Sequence, residues 1–196
     1  MLSIASLIAR IRPWLLFVLI AVPFCAIPFF YTIPRISAGA SLEEHLTTIQ
    51  GAMLLSFPLV VLLYGWIWTI CVVANSALHE NVQRPFRLAR WGMPFAILYI
   101  ALIISILPRI ATVDPFPAAR GVFILLHLAA TFYVFYAVVF AARSLASLGN
   151  TQFAGFGRIF LFFLAIIYFP VGLWWIQPRL NSISGQSQMD ANNALH

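Results

Sequence analysis

His127 is the only histidine or charged residue deep within a long apolar stretch of this 196-residue sequence. Ionisable side chains at such positions are expected to be functional, because burying one in hydrocarbon is costly. An imidazole at shallow depth could donate a hydrogen bond to a quinone headgroup or to another cofactor. The alternative is a structural role, in which a neutral imidazole bonds to a backbone carbonyl or to Tyr64, Tyr99 or Tyr168.

Other catalytic and cofactor patterns are weak or absent in the sequence. A haem held by one chain ordinarily needs a second axial ligand, and His45 and His79 lie outside the apolar stretches, on opposite sides of the second one. His79-Glu80 also lacks the second histidine of a zinc-protease helix. We find no glycine-rich phosphate loop, nucleophile elbow or CxxC pair. No metal site is therefore predicted, the cofactor stays unassigned, and an enzyme is the less favoured class.

Arginines predict contact with membrane lipids. All 11 basic residues are Arg, and the formal net charge is +6. Arg84, Arg87 and Arg90 lie together between the second and third apolar stretches, where they are expected to attract anionic headgroups. The alternative is that they only fix the orientation of the chain. Because the arginines are scattered among the ends of the stretches, nucleic-acid binding is not expected.

Small side chains recur along two apolar stretches at helical spacing. Ala130, Ala137 and Ala141 form such a seam in the fourth stretch, and Gly65 and Thr69 form a shorter one in the second. Small residues let membrane helices approach closely. The seams therefore predict helix packing, either within one bundle or against another membrane subunit or a second copy of the chain.

The elements that carry these residues are long and apolar. The sequence is 63% hydrophobic and 8% charged, and a transmembrane helix needs about 20 mostly apolar residues. Five stretches reach or approach that length, at 13–33, 51–75, 91–108, 121–143 and 156–177. We predict an all-α, polytopic integral membrane protein, with one domain of about five helices over 13–180. Prolines are expected to kink several helices, with Pro170 interrupting the fifth and Pro178 ending it.

The segments outside the predicted spans have their own signals. Residues 1–12 predict a short amphipathic helix at the membrane interface. The apolar run that follows is too long for a signal-peptide core, so we expect an uncleaved first span. Ser41-Leu42-Glu43-Glu44 has the spacing of a capping box and predicts a helix that starts ahead of the second span. Residues 181–196 predict a polar, flexible external tail.

Arginine placement predicts a cytoplasmic amino terminus and an external carboxyl terminus. With five spans in that orientation, seven arginines lie inside and four outside, which agrees with the positive-inside bias. The four outside are Arg35, Arg109, Arg120 and Arg179. Trp174 and Trp175 then anchor the outer boundary. We expect the chain to lie in a bacterial inner membrane.

Three classes of function fit this sequence. The first is a non-catalytic subunit or assembly component of a larger inner-membrane complex, favoured by the apparent lack of catalytic groups. The second is a small, dimeric transporter or channel for a small or apolar substrate, because proline-broken helices can expose carbonyls to a cavity. The third is a redox subunit that contacts a quinone, lipid or cofactor through His127.

Overall fold

All regular structure in the described part of the chain is helical. The computed structural model describes residues 2–27, 31–32, 41–78, 80, 82–83, 85–112, 117–148 and 154–193. Seven α-helices cover most of these residues, and none of the described residues is in a β-strand. The helices are α1 (Leu2–Arg10), α2 (Pro13–Ile27), α3 (Leu42–Ser76), α4 (Arg87–Thr112), α5 (Pro117–Ser147), α6 (Phe156–Ile167) and α7 (Phe169–Asn193).

Three of these helices are long and apolar enough to cross a membrane. They contain the segments Glu43–Ser76, Arg87–Ile106 and Gly121–Ser147, and the bent pair α6 and α7 makes a fourth crossing if it counts as one span. Helix α2 has 15 residues, or about 22 Å, which is shorter than a hydrocarbon core of about 30 Å. The rest of the predicted first span lies largely outside the described residues. The helices are compatible with an integral membrane protein, and the described residues support three or four spanning helices, fewer than the five predicted.

Helix α3 starts where the capping box predicts. The Glu44 backbone N–H donates to Ser41 Oγ at 3.2 Å, and the Ser41 backbone N–H donates to Glu44 Oε2 at 2.8 Å. The helix then continues through Pro58 to Ser76 over 35 residues. Its length of about 52 Å exceeds the thickness of the hydrocarbon core. The predicted start of a helix ahead of the second span is therefore confirmed.

Helices α3, α4 and α5 pack against one another, and α1, α2, α6 and α7 pack around them. The main core contains Trp66, Ile70, Cys71 and Ala137, all of them inaccessible to solvent. A smaller cluster around Ala96, Tyr99 and Ala130 joins α4 to α5. At the other end of α3, Gln50 Nε2 donates to the Ile104 carbonyl at 3.0 Å. This bond marks the end of the bundle at which α3 begins and α4 ends.

Helix α1 packs against α3 and α7. Among its described side chains, Ala5 and Ala9 are buried, whereas Leu7 is 67% exposed. Exposure of Leu7 is compatible with the predicted interfacial helix, whose apolar face would contact lipid. The small side chains let the backbone of α1 come close to its neighbours.

The predicted fifth span is broken into two helices. Helices α6 and α7 are bent by 116° relative to each other, and Tyr168 between them has φ −80° and ψ 61°, outside the helical region. Pro170 has no backbone N–H to continue the hydrogen bonds of α6. The predicted interruption is confirmed. The prediction that Pro178 ends the helix is wrong, because α7 continues through Pro178 to Asn193.

Gly172 permits this bend. A Cβ at this position would collide with the carbonyl oxygen of Ala165, whereas a Cβ at Gly157 would have no neighbour within 4 Å. Glycine is therefore required where the first turn of α7 meets the last turn of α6.

We predict that Gly172→Ala destabilises the protein by about 1–3 kcal/mol, the usual cost of forcing extra atoms into a packed site. The measurement is the free energy of unfolding in mixed detergent micelles. Gly157→Ala is the matched control, since it also lies in the first turn of a helix, and it should be neutral or slightly stabilising. Equal stability of the two variants would contradict this role of Gly172.

Candidate functional site

A cavity of about 330 Å³ lies between α3, α4 and α5. Ile167, the last residue of α6, contributes to one side of it. Most of the lining is apolar, from residues such as Ala96, Ile100 and Val138. The polar lining residues are Tyr64, Tyr99, His127 and Thr131.

No hydrogen bond is found for these four side chains within the described residues, and the Tyr64 and Tyr99 hydroxyls are not fully buried, since the buried polar atoms without a partner are Ser144 Oγ and Asn181 Oδ1. The ring of His127 lies 5.8 Å from that of Tyr99, centroid to centroid, at an angle of 58°. The predicted hydrogen bond from His127 to a neighbouring tyrosine is therefore replaced by a ring contact. Tyr64 does line the cavity, but Tyr168 is 66% exposed and lies outside its lining.

The cavity opens toward the outer side of α5. His127, Thr131 and Phe135 line the cavity and are also exposed. Neighbouring positions on α5, such as Leu128 and Phe132, are exposed and apolar. Tyr99 is only 8% exposed and lies deeper. A ligand can thus enter sideways, with its apolar part on α5 and its polar part near His127 and Tyr99.

The other predicted site residues are distributed over α3 and α5. Ala137 and Ala141 are fully buried, and Ala130 is 6% exposed on the cavity wall. Thr69 Oγ1 donates to the Gly65 carbonyl at 2.8 Å within α3. The two small-residue seams thus face the interior of this chain. His45 Nδ1 lies 2.9 Å from the Ser41 carbonyl oxygen, in the first turn of α3 and away from the cavity.

Two of the predicted lipid-binding arginines, Arg87 and Arg90, lie in the first turn of α4. Arg87 and Arg90 are exposed, and the Arg90 guanidinium lies 5.9 Å from the ring centroid of Trp91. Arg84 and His79 lie outside the described residues. No group of three histidine, cysteine or acidic side chains in the described ranges could hold a metal ion.

A second polar feature was missed by sequence reasoning. Gln177 is fully buried, and its Oε1 accepts a hydrogen bond from Trp66 Nε1 at 2.9 Å. Its Nε2, which carries two hydrogens, lies 3.0, 2.9 and 3.0 Å from the carbonyl oxygens of Ile8, Ala9 and Ile11, so that one hydrogen is shared between two of these acceptors. The last carbonyls of a helix have no partner within that helix. Gln177 therefore caps the end of α1 from a residue that is more than 160 positions away.

Comparison with known proteins adds no family to this geometry. No protein-family model, curated protein or solved structure matches the chain. The cavity and its four polar side chains are therefore the feature from which a function is inferred.

We predict that Gln177→Leu destabilises the protein by about 2–4 kcal/mol, because it leaves the buried Trp66 N–H and the buried Ala9 carbonyl without partners. Trp66→Phe, which mainly removes one hydrogen-bond donor, should lower the free energy of unfolding by a smaller amount. The two changes together should be less damaging than the sum of their separate effects, which a double-mutant cycle in unfolding measurements would show. Gln83→Leu is the control, because Gln83 is exposed and bonds only to the nearby Leu78 carbonyl.

Proposed function

We propose that this chain is a multi-pass protein of a bacterial inner membrane that binds an apolar molecule with an oxygen-bearing headgroup, such as a quinone or a lipid. The observation that carries the proposal is the set of four polar side chains around one apolar cavity, without hydrogen-bond partners among the described residues. A polar group in apolar surroundings is costly unless it is hydrogen-bonded. A ligand oxygen would provide the missing acceptor.

The chemistry of the lining supports an acceptor on the ligand. The hydroxyls of Tyr64, Tyr99 and Thr131 can each donate one hydrogen bond, and neutral His127 can donate through one ring nitrogen. Quinone and ester carbonyls accept such bonds. The volume of about 330 Å³ is at the lower end of the range for small-molecule sites. A cavity of this volume suits a quinone ring or an ester group, with the attached hydrocarbon tail of the ligand extending outward over α5.

In this proposal, the chain binds the ligand and positions its headgroup. His127 and Tyr99 would hold the headgroup, and the apolar wall would exclude water from it. If the ligand is a quinone, its electrons would come from a partner protein, which makes this chain a ligand-binding subunit of a larger membrane complex.

A purely structural subunit is the second candidate. It is favoured by the amino-terminal part of α3, where Glu43 and Glu44 are exposed on a helix about 52 Å long. Such an extension offers a contact surface beyond the lipid. Purification from native membranes in mild detergent tests this candidate, because a chain that elutes alone as a monomer would rule it out.

The pocket is tested by titrating decylubiquinone into the purified protein in nanodiscs and measuring heat release. We predict saturable binding that Tyr99→Phe weakens by about five- to tenfold, the effect of losing one hydrogen bond of 1.0–1.4 kcal/mol. His127→Phe should weaken it by a similar or larger factor. Tyr136→Phe is the matched control, since Tyr136 lies on α5 outside the cavity lining.

Equal binding by all four proteins would contradict the proposed pocket. If decylubiquinone does not bind, mass spectrometry of molecules extracted from the purified protein distinguishes the lipid from the quinone. A tightly held lipid that His127→Phe releases would support the same site. Protein that carries neither molecule and binds neither would overturn the proposal.

A further inference from the structure

Helix α7 crosses α3 instead of running along it. Near its start, the ring of Phe169 lies 5.6 Å from that of Trp66, and farther along, Gln177 Oε1 accepts the Trp66 N–H at 2.9 Å. Eight residues of helix cover about 12 Å. If α7 ran parallel to α3, these two residues would contact side chains about 12 Å apart on α3. Because Phe169 and Gln177 both contact Trp66, the axis of α7 advances little along the axis of α3 over this segment.

This crossing lies far from the opposite end of the bundle. That end is marked by the bond from Gln50 to the Ile104 carbonyl. Trp66 follows Gln50 by 16 residues along α3, which corresponds to about 24 Å. Gln177 is instead bonded to the carbonyls at the end of α1, immediately before α2 begins. The end of α1 and the first half of α7 thus lie at one level of the bundle.

The two arms of the α6–α7 pair also contact each other. Phe162 of α6 and Trp175 of α7 are stacked, with ring centroids 4.8 Å apart and planes at 8°. The Arg179 guanidinium lies 5.1 Å from the centroid of each of these two rings. Arg158 precedes Phe162 by one helical turn, and Arg179 follows Trp175 by one turn. The two arginines therefore lie toward the open end of the hairpin, and both are exposed.

Positive charge accumulates at this end, where Glu80, which follows α3, is the one acidic side chain among the described residues. Arg10 and Arg12 flank Ile11, whose carbonyl bonds to Gln177, and both arginines are exposed. The sequence contains no acidic residue before Glu43 and none from 115 to 189. The charge of Arg158 and Arg179 is therefore not compensated by an acidic residue of α1 or α6, or by one in the described side chains of α7.

We propose that α6 and α7 form a re-entrant hairpin that returns to the membrane face from which it enters, and that Arg158 and Arg179 bind the phosphate of an anionic phospholipid there. Both chain ends then lie in the cytoplasm. Arg179 moves from the outer set to the inner one, so eight arginines lie inside and three outside. This agrees with the positive-inside bias better than seven against four.

Cysteine labelling tests the location of the hairpin. In a variant whose Cys25 and Cys71 are replaced by alanine, single substitutions Gly157→Cys, Gly185→Cys and Glu43→Cys are treated with a membrane-impermeant maleimide, in intact spheroplasts and after lysis. We expect Gly157→Cys and Gly185→Cys to react only after lysis and Glu43→Cys to react in both. Reaction of Gly185→Cys in intact spheroplasts, together with Glu43→Cys, would overturn the re-entrant hairpin.

Lipid-dependent stability tests the binding site. Phosphatidylglycerol added to the detergent-solubilised protein should raise the melting temperature in a saturable way, whereas phosphatidylcholine and inorganic phosphate should not. Arg158→Gln and Arg179→Gln should each weaken the apparent affinity for phosphatidylglycerol about fivefold. Arg90→Gln, at the separate cluster on α4, should not change it.

Arg179→Lys keeps the charge and should retain most of the response, so it separates loss of binding from loss of folding. Arg158→Gln leaves the aromatic stack intact and serves the same purpose. An equal response to phosphatidylcholine, or unchanged affinity in both glutamine variants, would overturn the phospholipid site even where labelling supports the hairpin.

Discussion

The Gln177 carboxamide joins the two ends of the described chain through the middle of α3. Its oxygen accepts from Trp66 and its nitrogen donates to carbonyls at the end of α1. Every one of these groups is buried or partly buried, and an unpaired group there would cost free energy. Few other polar side chains are fully buried in the described core. This one amide thus links α1, α3 and α7.

The polar side chains of the cavity differ from Gln177 in their hydrogen bonding. The Gln177 amide is bonded within the chain through both its oxygen and its nitrogen, whereas no hydrogen bond is found for the cavity side chains within the described residues. A protein that only needed a stable core would fill this space with aliphatic side chains. The contrast between the bonded Gln177 amide and the cavity side chains is what favours a ligand at the cavity.

Some of this architecture could be predicted from local sequence patterns. The capping box fixes the start of α3, because its two hydrogen bonds lie within four residues. Pro170 marks the break in the fifth stretch because a missing N–H acts locally. The location of His127 within a long apolar helix also follows from hydropathy. The cavity itself is less predictable, because it depends on how α3, α4 and α5 diverge around Ala96 and Ala130.

Hydropathy does not distinguish lipid from protein as a neighbour, and this limits what the sequence predicts. The stretch 156–177 is apolar enough to span a membrane, and hydropathy does not show that its break brings the rings of Phe162 and Trp175 into contact. Hydropathy also does not show that Ala5 and Ala9 are the residues of α1 that pack against the bundle. No local pattern links Gln177 to Ile8, since more than 160 residues separate them.

The capping of α1 by Gln177 has a consequence for synthesis. Helix α1 is translated long before Gln177, so the amide that caps it emerges only after helices α2 to α6 have been made. Until then the Ala9 and Ile11 carbonyls lack this partner. The cap of α1 is thus completed late in synthesis, by a residue of α7.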